Sequence, residues 1–143
     1  MLIAELYVPG VPVAQGRPRI TTIGGHPRAY DPAKSASYKN YIALAASIVM
    51  THRKPAEGPL SVEMHIALPV PASWSKKKSA EALQNVVCPT VKPDIDNLIK
   101  IVLDSLNGIV WHDDKQVVSI YAAKAYAEKP GLHVFVRDME DCI

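Results

Sequence analysis

Apolar and polar residues alternate along four stretches of the chain, which is the pattern of strands that bury one face. In the second stretch Val62, Met64, Ile66 and Leu68 fall on the same side. The turn sequence Lys129–Gly131 separates the last two stretches, so we expect these two strands to pair as a hairpin. The four predicted strands are Leu2–Val8, Leu60–Val70, Val117–Ala127 and Leu132–Arg137.

Two longer segments have apolar residues at helical spacing. Pro32–Arg53 predicts a first helix that ends before Pro55, and Asp94–Leu106 predicts a second helix that ends at Asn107-Gly108. The remaining segments carry weaker patterns: an irregular arm or broken hairpin over Val11–Pro32, a short exposed helix over Lys76–Gln84, and a short extended segment over Val86–Val91.

These elements predict an α+β fold, because the helices do not alternate regularly with the strands. We expect a mixed or antiparallel sheet covered by two main helices. The length of 143 residues suits one domain, spanning residues 1–143. Hydrophobic residues make up 48% of the chain and charged residues 21%, a balance that excludes the disordered class.

The sequence has no secretory signal, and its longest apolar stretch, Tyr41–Met50, is too short to cross a bilayer. Cys88 and Cys142 are isolated and fit no zinc-binding spacing, so we expect two free thiols. We therefore expect a cytoplasmic protein with no membrane partner.

Charge is unevenly distributed although the net charge is only +2. Residues 1–58 hold seven Lys/Arg and three Asp/Glu, whereas residues 59–143 hold nine and eleven. Five of those acids are aspartates between Asp94 and Asp114. A basic arm and an aspartate cluster suit a protein that holds a polyanion and a cation, although random clustering on a wet surface gives the same counts.

The second predicted helix presents a polar face opposite an apolar one. At about 100° per residue, Asp96, Asn97, Lys100 and Asp104 lie within one quadrant of the helix. Carboxylates are the hard oxygen ligands that Mg²⁺ prefers, and a lysine one turn away can meet a phosphate oxygen. This arrangement suits phosphodiester hydrolysis, with Asp113 or Asp114 supplying a further ligand from the next loop.

The same residues have a purely structural interpretation. An aspartate near a helix N-terminus is an ordinary cap, and acids and lysines one turn apart form ion pairs on exposed helices. Asp113 and Asp114 are also typical turn residues. Spacing alone leaves the catalytic and the structural interpretations open.

The run K-P-D-I-D-N-L-I-K, followed by D-S-L-N-G and then by W-H-D-D-K-Q-V, closely resembles the motif of the RusA family of Holliday junction resolvases. The segments Gln15–Arg19 and Arg28–Pro32 are similar to the phage-type branch of that family. The resemblance implies a Mg²⁺-dependent homodimer, with Mn²⁺ as a substitute and no nucleotide cofactor. Its expected substrate is four-way branched DNA, which it cuts with paired nicks.

Carried over residue by residue, the resemblance implies that Asp94, Asp96 and Asp114 bind the metal. It implies that Lys100 is the catalytic lysine. Asp104 matches a family acid to which we assign structural support.

Candidate DNA-binding residues come from the basic arm and from the lysine run. Arginine suits phosphate contacts, and lysines can follow the DNA backbone. We expect His112, Trp74 and Trp111 to be bystanders or packing residues. The residues assigned to DNA binding are Arg17, Arg19, Arg28, Lys76 and Lys77.

Two other functions fit the same surface. One is a DNA-structure-binding protein that does not cut, although several acids facing a polyanion would repel it unless a cation neutralised them. The other is a nuclease that acts mainly on forks or flaps.

Overall fold

The structure is a computed structural model of the chain, and it describes residues 1–14, 19–23, 26–30 and 33–141. Six strands and three α-helices follow one another in the described part. The elements are β1 (Leu2–Pro9), β2 (Arg19–Ile23), β3 (His26–Tyr30), α1 (Ala33–Val49), β4 (Leu60–Pro69), α2 (Lys76–Leu83), α3 (Ile95–Leu106), a 3-10 turn (Asp114–Gln116), β5 (Val117–Ala127) and β6 (Gly131–Asp138).

The main sheet has four strands in the order β1-β6-β4-β5. Strand β6 runs antiparallel to both β1 and β4, whereas β4 and β5 run parallel. The mixed sheet and separate helices confirm the predicted α+β class. Strands β2 and β3 form a separate antiparallel pair, so the arm contains the broken hairpin that was one of its two predicted forms.

The predicted hairpin between the last two strands is wrong, because β4 lies between β5 and β6. The link from Ala127 to Gly131 passes the end of β4 instead of making a tight turn. That passage is open because Pro69, the last residue of β4, has no N–H with which to continue the ladder. Turn chemistry at Lys129–Gly131 predicted the reversal of direction but not the strand skipped.

Helices cover one face of this sheet. Helix α1 packs against β1 and α3, and α3 also contacts β5. Inward side chains of the strands, such as Leu6, Met64 and Val134, meet apolar residues of the helices in one buried cluster. The buried residues of α1 are Tyr38, Ile42 and Ala46, which recur at helical spacing.

Element ends differ from expectation at two places. Helix α1 ends at Val49 rather than Arg53, and His52 adopts a left-handed conformation with φ of 62°. The predicted extended segment over Val86–Val91 is wrong, because residues 84–94 contain turns and bends but no strand. The short helix α2 is confirmed, with Ser75 as its N-cap. No helix in the described ranges is long and apolar enough to cross a lipid bilayer.

Candidate active site

Helix α3 carries the first part of the candidate site. Its buried face consists of Leu98, Ile101, Val102, Ser105 and Leu106. Ser105 is the polar exception on that face, and its hydroxyl donates to the carbonyl oxygen of Ile101 at 2.5 Å. The burial of one face holds the opposite face toward solvent.

The carboxylate of Asp94 is not used to cap this helix. Asp94 occupies the N-cap position with extended backbone, yet its side chain accepts no capping hydrogen bond. The contrast is internal to the chain, because Ser75 accepts from the backbone of Lys78 and Asp113 accepts from the backbone of Lys115. An exposed carboxylate at a helix start that does not cap is free to bind something else.

The polar face of α3 does not form an ion-pair ladder. Asp96 and Lys100 are exposed and Asp104 is half-buried. Within the part of the chain that the structure describes, these three side chains make no ion pair with one another. The structural interpretation based on ion pairs therefore lacks its contacts here.

The second part of the site is the 3-10 turn Asp114–Gln116. Asp113 caps it by accepting from the Lys115 N–H at 3.1 Å. This backbone hydrogen bond lowers the pKa of Asp113 below its usual value, and a side-chain hydrogen bond with Asp114 and the charge of Lys115 lower it further. Asp113 is thus occupied as a cap, which leaves Asp114 as the half-buried acid beside it.

Gln116 fixes the position of this turn. Its Oε1 accepts from the N–H groups of His112 and Asp113, at 2.9 and 3.1 Å. Its Nε2 donates to the carbonyl oxygens of Ala56 and Gly58, also at 2.9 and 3.1 Å. Two bonds on each side use the full capacity of a carboxamide. The aspartate turn is therefore tied to the segment that leads into β4.

A tight return joins the two parts of the site. Asn107 follows α3, and its Oδ1 accepts from the indole N–H of Trp111 at 2.6 Å. Trp111 is 0% exposed, so the bond fixes a fully packed ring to the end of the helix. Gly108, with φ of 78°, donates to the carbonyl of Trp111 at 2.7 Å. Helix α3 and the 3-10 turn are in contact as a result.

Asp94 and Asp96 thus stand at the start of α3, and Asp114 belongs to the turn that contacts the same helix. Among the residues that the structure describes, no three His, Cys, Asp or Glu side chains converge closely enough to enclose a metal ion. The donor chemistry still suits Mg²⁺, because this ion is usually held by only one or two carboxylates and keeps several waters.

A family model described as endodeoxyribonuclease RusA matches residues 9–137. The chain belongs to the RusA family. A protein of Bacillus subtilis (strain 168), named uncharacterized protein YqaN, is 43% identical over 139 residues, covering 94% of this chain and 96% of the relative. Family membership implies an endodeoxyribonuclease, with DNA as its partner and phosphodiester hydrolysis as its reaction. RusA nucleases generally depend on a divalent metal.

The residues assigned to DNA binding are only partly described in this RusA-family chain. Arg17 lies outside the described residues, and for Arg19 and Arg28 the description is confined to the backbone of β2 and β3. Lys76 and Lys77 are exposed in the first turn of α2. Their role in DNA contact stays a prediction.

The neighbours of these residues take the structural roles that we expected. The ammonium of Lys78 lies 4.0 Å from the centroid of the Trp74 ring, which packs edge-on against Tyr126. Both tryptophans are packing residues, as predicted. His112 is exposed, with Nε2 at 3.8 Å from Oε1 of Glu57. Cys88 is a free thiol, as expected, and Cys142 lies outside the described residues.

Sequence reasoning missed two residues of this RusA-family site. Gln116 belongs to the family motif, but its partners Ala56 and Gly58 lie 60 and 58 residues away. Lys124 belongs to no motif, although its side chain bonds to the main chain just before α3. The one signal for it was a lysine on the inward side of a strand that otherwise alternates regularly.

Proposed function

We propose that this chain is a Mg²⁺-dependent endonuclease that resolves Holliday junctions by paired, symmetric nicks. The observation that carries the proposal is the exposed, uncapped carboxylate of Asp94 at the start of α3, two residues before Asp96. Membership of the RusA family supports the nuclease class. The proposed metal ligands are Asp94, Asp96 and Asp114.

Each of these acids is supplied by an element that something else holds in place. Asp94 and Asp96 sit on a helix whose opposite face is buried, and Asp114 sits on a turn tied down by Gln116. Bound Mg²⁺ supplies activation of water and neutralises charge on the phosphate. The acids hold and orient that ion, and their own negative charge keeps DNA at a distance until the ion is bound.

Lys100 has a separate task in the proposal. It is exposed one helical turn beyond Asp96, on the same polar face. A lysine ammonium is a compact charge that can donate to a nonbridging phosphate oxygen. Its contribution is electrostatic stabilisation of the phosphate as charge develops during the reaction.

We also propose that the active form is a homodimer, because two symmetric nicks are most simply made by two sites related by a two-fold axis. The N-terminal half offers apolar surface for the contact. Tyr41, Leu44 and Ile48 on α1 are 63%, 60% and 66% exposed, and β1 is an edge strand beside them. Exposed apolar stripes of this kind are typical of protein interfaces.

The deciding experiment uses end-labelled synthetic DNA: a four-way junction, a fork and a linear duplex of matched sequence. Each is incubated with the protein in Mg²⁺, in Mn²⁺ and in EDTA, beside the Asp96→Asn variant. We expect paired nicks in the junction with either metal and none in EDTA or with the variant. Preferential cutting of the fork would establish the fork-nuclease alternative, and binding without metal-dependent cutting would establish the non-cutting alternative.

A further inference from the structure

Lys124 is a charged residue at an inward position of β5. Its register partner on β4 is Ile66, which is buried, so Lys124 lies on the face of the sheet that the helices cover. Ala122 and Tyr126 flank it on the same face of its own strand. An ammonium in such surroundings requires polar partners, because an unpaired charge is costly to remove from water.

Lys124 finds those partners in the main chain before α3. Its Nζ donates to the carbonyl oxygen of Val91 at 2.7 Å and to that of Pro93 at 3.0 Å. Lysines on edge strands ordinarily extend toward water and protect the edge. This one instead joins the sheet to a segment 33 and 31 residues earlier in the chain.

The segment that Lys124 holds leads directly into the metal-binding acids of the proposal. The Pro93 carbonyl is bonded to the nitrogen of Asp94, whose own carbonyl accepts from Leu98 at 3.1 Å as the helix begins. Residues 84–94 form no helix or strand, so no ladder of their own fixes their path. The two bonds from Lys124 fix that path immediately before the first acid.

We propose that Lys124 is a positioning residue that sets the direction in which Asp94 and Asp96 present their carboxylates to the metal ion. It acts through the backbone of Val91 and Pro93 and touches neither DNA nor the reacting phosphate. The inference rests on the proposed function, because the acids it positions are the proposed metal ligands. Groups that orient metal ligands typically change metal affinity or activity by about 10- to 100-fold when they are removed.

The test is Lys124→Met, which keeps the length of the aliphatic stem and removes the ammonium. Lys129→Met is the matched control, since Lys129 is exposed in the link between β5 and β6. Two quantities are measured: amide hydrogen exchange at residues 94–98, and the Mg²⁺ concentration that gives half-maximal single-turnover cleavage of a saturated junction. We expect faster exchange confined to this region and a Mg²⁺ requirement raised about 10- to 100-fold, with metal-free junction binding unchanged.

Two results would overturn the proposal: wild-type exchange and Mg²⁺ requirement in Lys124→Met, or exchange that rises equally throughout the sheet, which would indicate a role in global stability. If Lys124→Met does not fold, Lys124→Arg decides the matter, because a guanidinium retains several donors. Local protection near wild type in Lys124→Arg supports the proposal, and its loss without any change in Mg²⁺ requirement overturns it. A wild-type protein that cuts no junction would end the proposed function, while exchange would still report whether Lys124 holds this segment.

Discussion

The side chain of Gln116 reaches across 60 residues of sequence to the backbone of Ala56, with Nε2 at 2.9 Å from the carbonyl oxygen. The same side chain accepts two backbone N–H groups from the aspartate turn. One carboxamide therefore couples the turn that carries Asp114 to the chain entering the sheet.

The first prediction separates the two sides of this coupling. Gln116→Glu keeps the oxygen that accepts from His112 and Asp113 but removes both donors, leaving carbonyl oxygens opposed to a carboxylate. We expect the free energy of unfolding in urea to fall by about 1–3 kcal/mol, with a further loss of cleavage. Gln84→Glu makes the same chemical change at an exposed site and should leave both unchanged. Equal stability of the two variants would contradict the coupling.

The second prediction concerns the proposed metal ligands. Asp94→Asn, Asp96→Asn and Asp114→Asn each preserve shape and remove the charge that holds Mg²⁺, so cleavage should be abolished. Junction affinity in gel shifts without metal should persist or increase, because one repulsive charge near DNA is gone. Asp104→Asn is the internal control, since it lies about 12 Å from Asp96 by helical rise. Near-normal cleavage by folded Asp94→Asn or Asp96→Asn would refute the site.

Lys100 should fail differently from the acids. Lys100→Ala removes the charge at the phosphate but leaves the proposed ligands in place, so cleavage should be crippled and excess Mg²⁺ should not restore it. Single-turnover rates measured over a wide Mg²⁺ range distinguish the cases. Recovery of the wild-type rate at high Mg²⁺ would reassign Lys100 to metal binding.

The basic arm should control the salt dependence of binding. Replacing Arg17 and Arg19 with alanine should weaken junction and duplex binding alike. On duplex DNA the log–log salt slope should flatten by about 0.9 for each phosphate that is no longer neutralised. Arg53→Ala combined with Lys54→Ala removes the same charge from exposed positions after α1 and serves as the control. Identical slopes in the two double variants would exclude the arm as the phosphate surface.

Oligomeric state provides the fifth prediction. Leu44→Asp combined with Ile48→Asp places charges on the exposed stripe of α1, and we expect a monomer by sedimentation and a loss of paired nicks. Val86→Asp changes an equally exposed apolar residue, 68% accessible, outside the N-terminal half and should remain dimeric. A wild-type monomer in an active preparation would rule out the dimer.

Local patterns predicted the elements well. Strand β5 has the predicted ends, and α3 begins one residue after its predicted start, because alternation and helical spacing report burial directly. Strand order was not local information: the turn after β5 signals a reversal, but nothing in it indicates that β4 lies between the two strands.

The candidate site divides in the same way. Aspartates and a lysine at helical spacing point to α3, and the family motif points to Asp114. The residues that hold these groups in place do so through main-chain atoms of distant segments. A backbone carbonyl such as that of Pro93 leaves no mark in sequence, so the role of Lys124 required the structure.

All four residues assigned to catalysis lie in the single connection from Pro69 of β4 to Val117 of the parallel strand β5. A parallel pair requires such a long crossover, and here the crossover carries the whole catalytic set. Genetic exchange at the two strand ends would therefore move every catalytic side chain between family members in one piece. Cutting chemistry and surrounding scaffold can then be inherited separately, with the backbone-holding lysine left in the recipient's own β5.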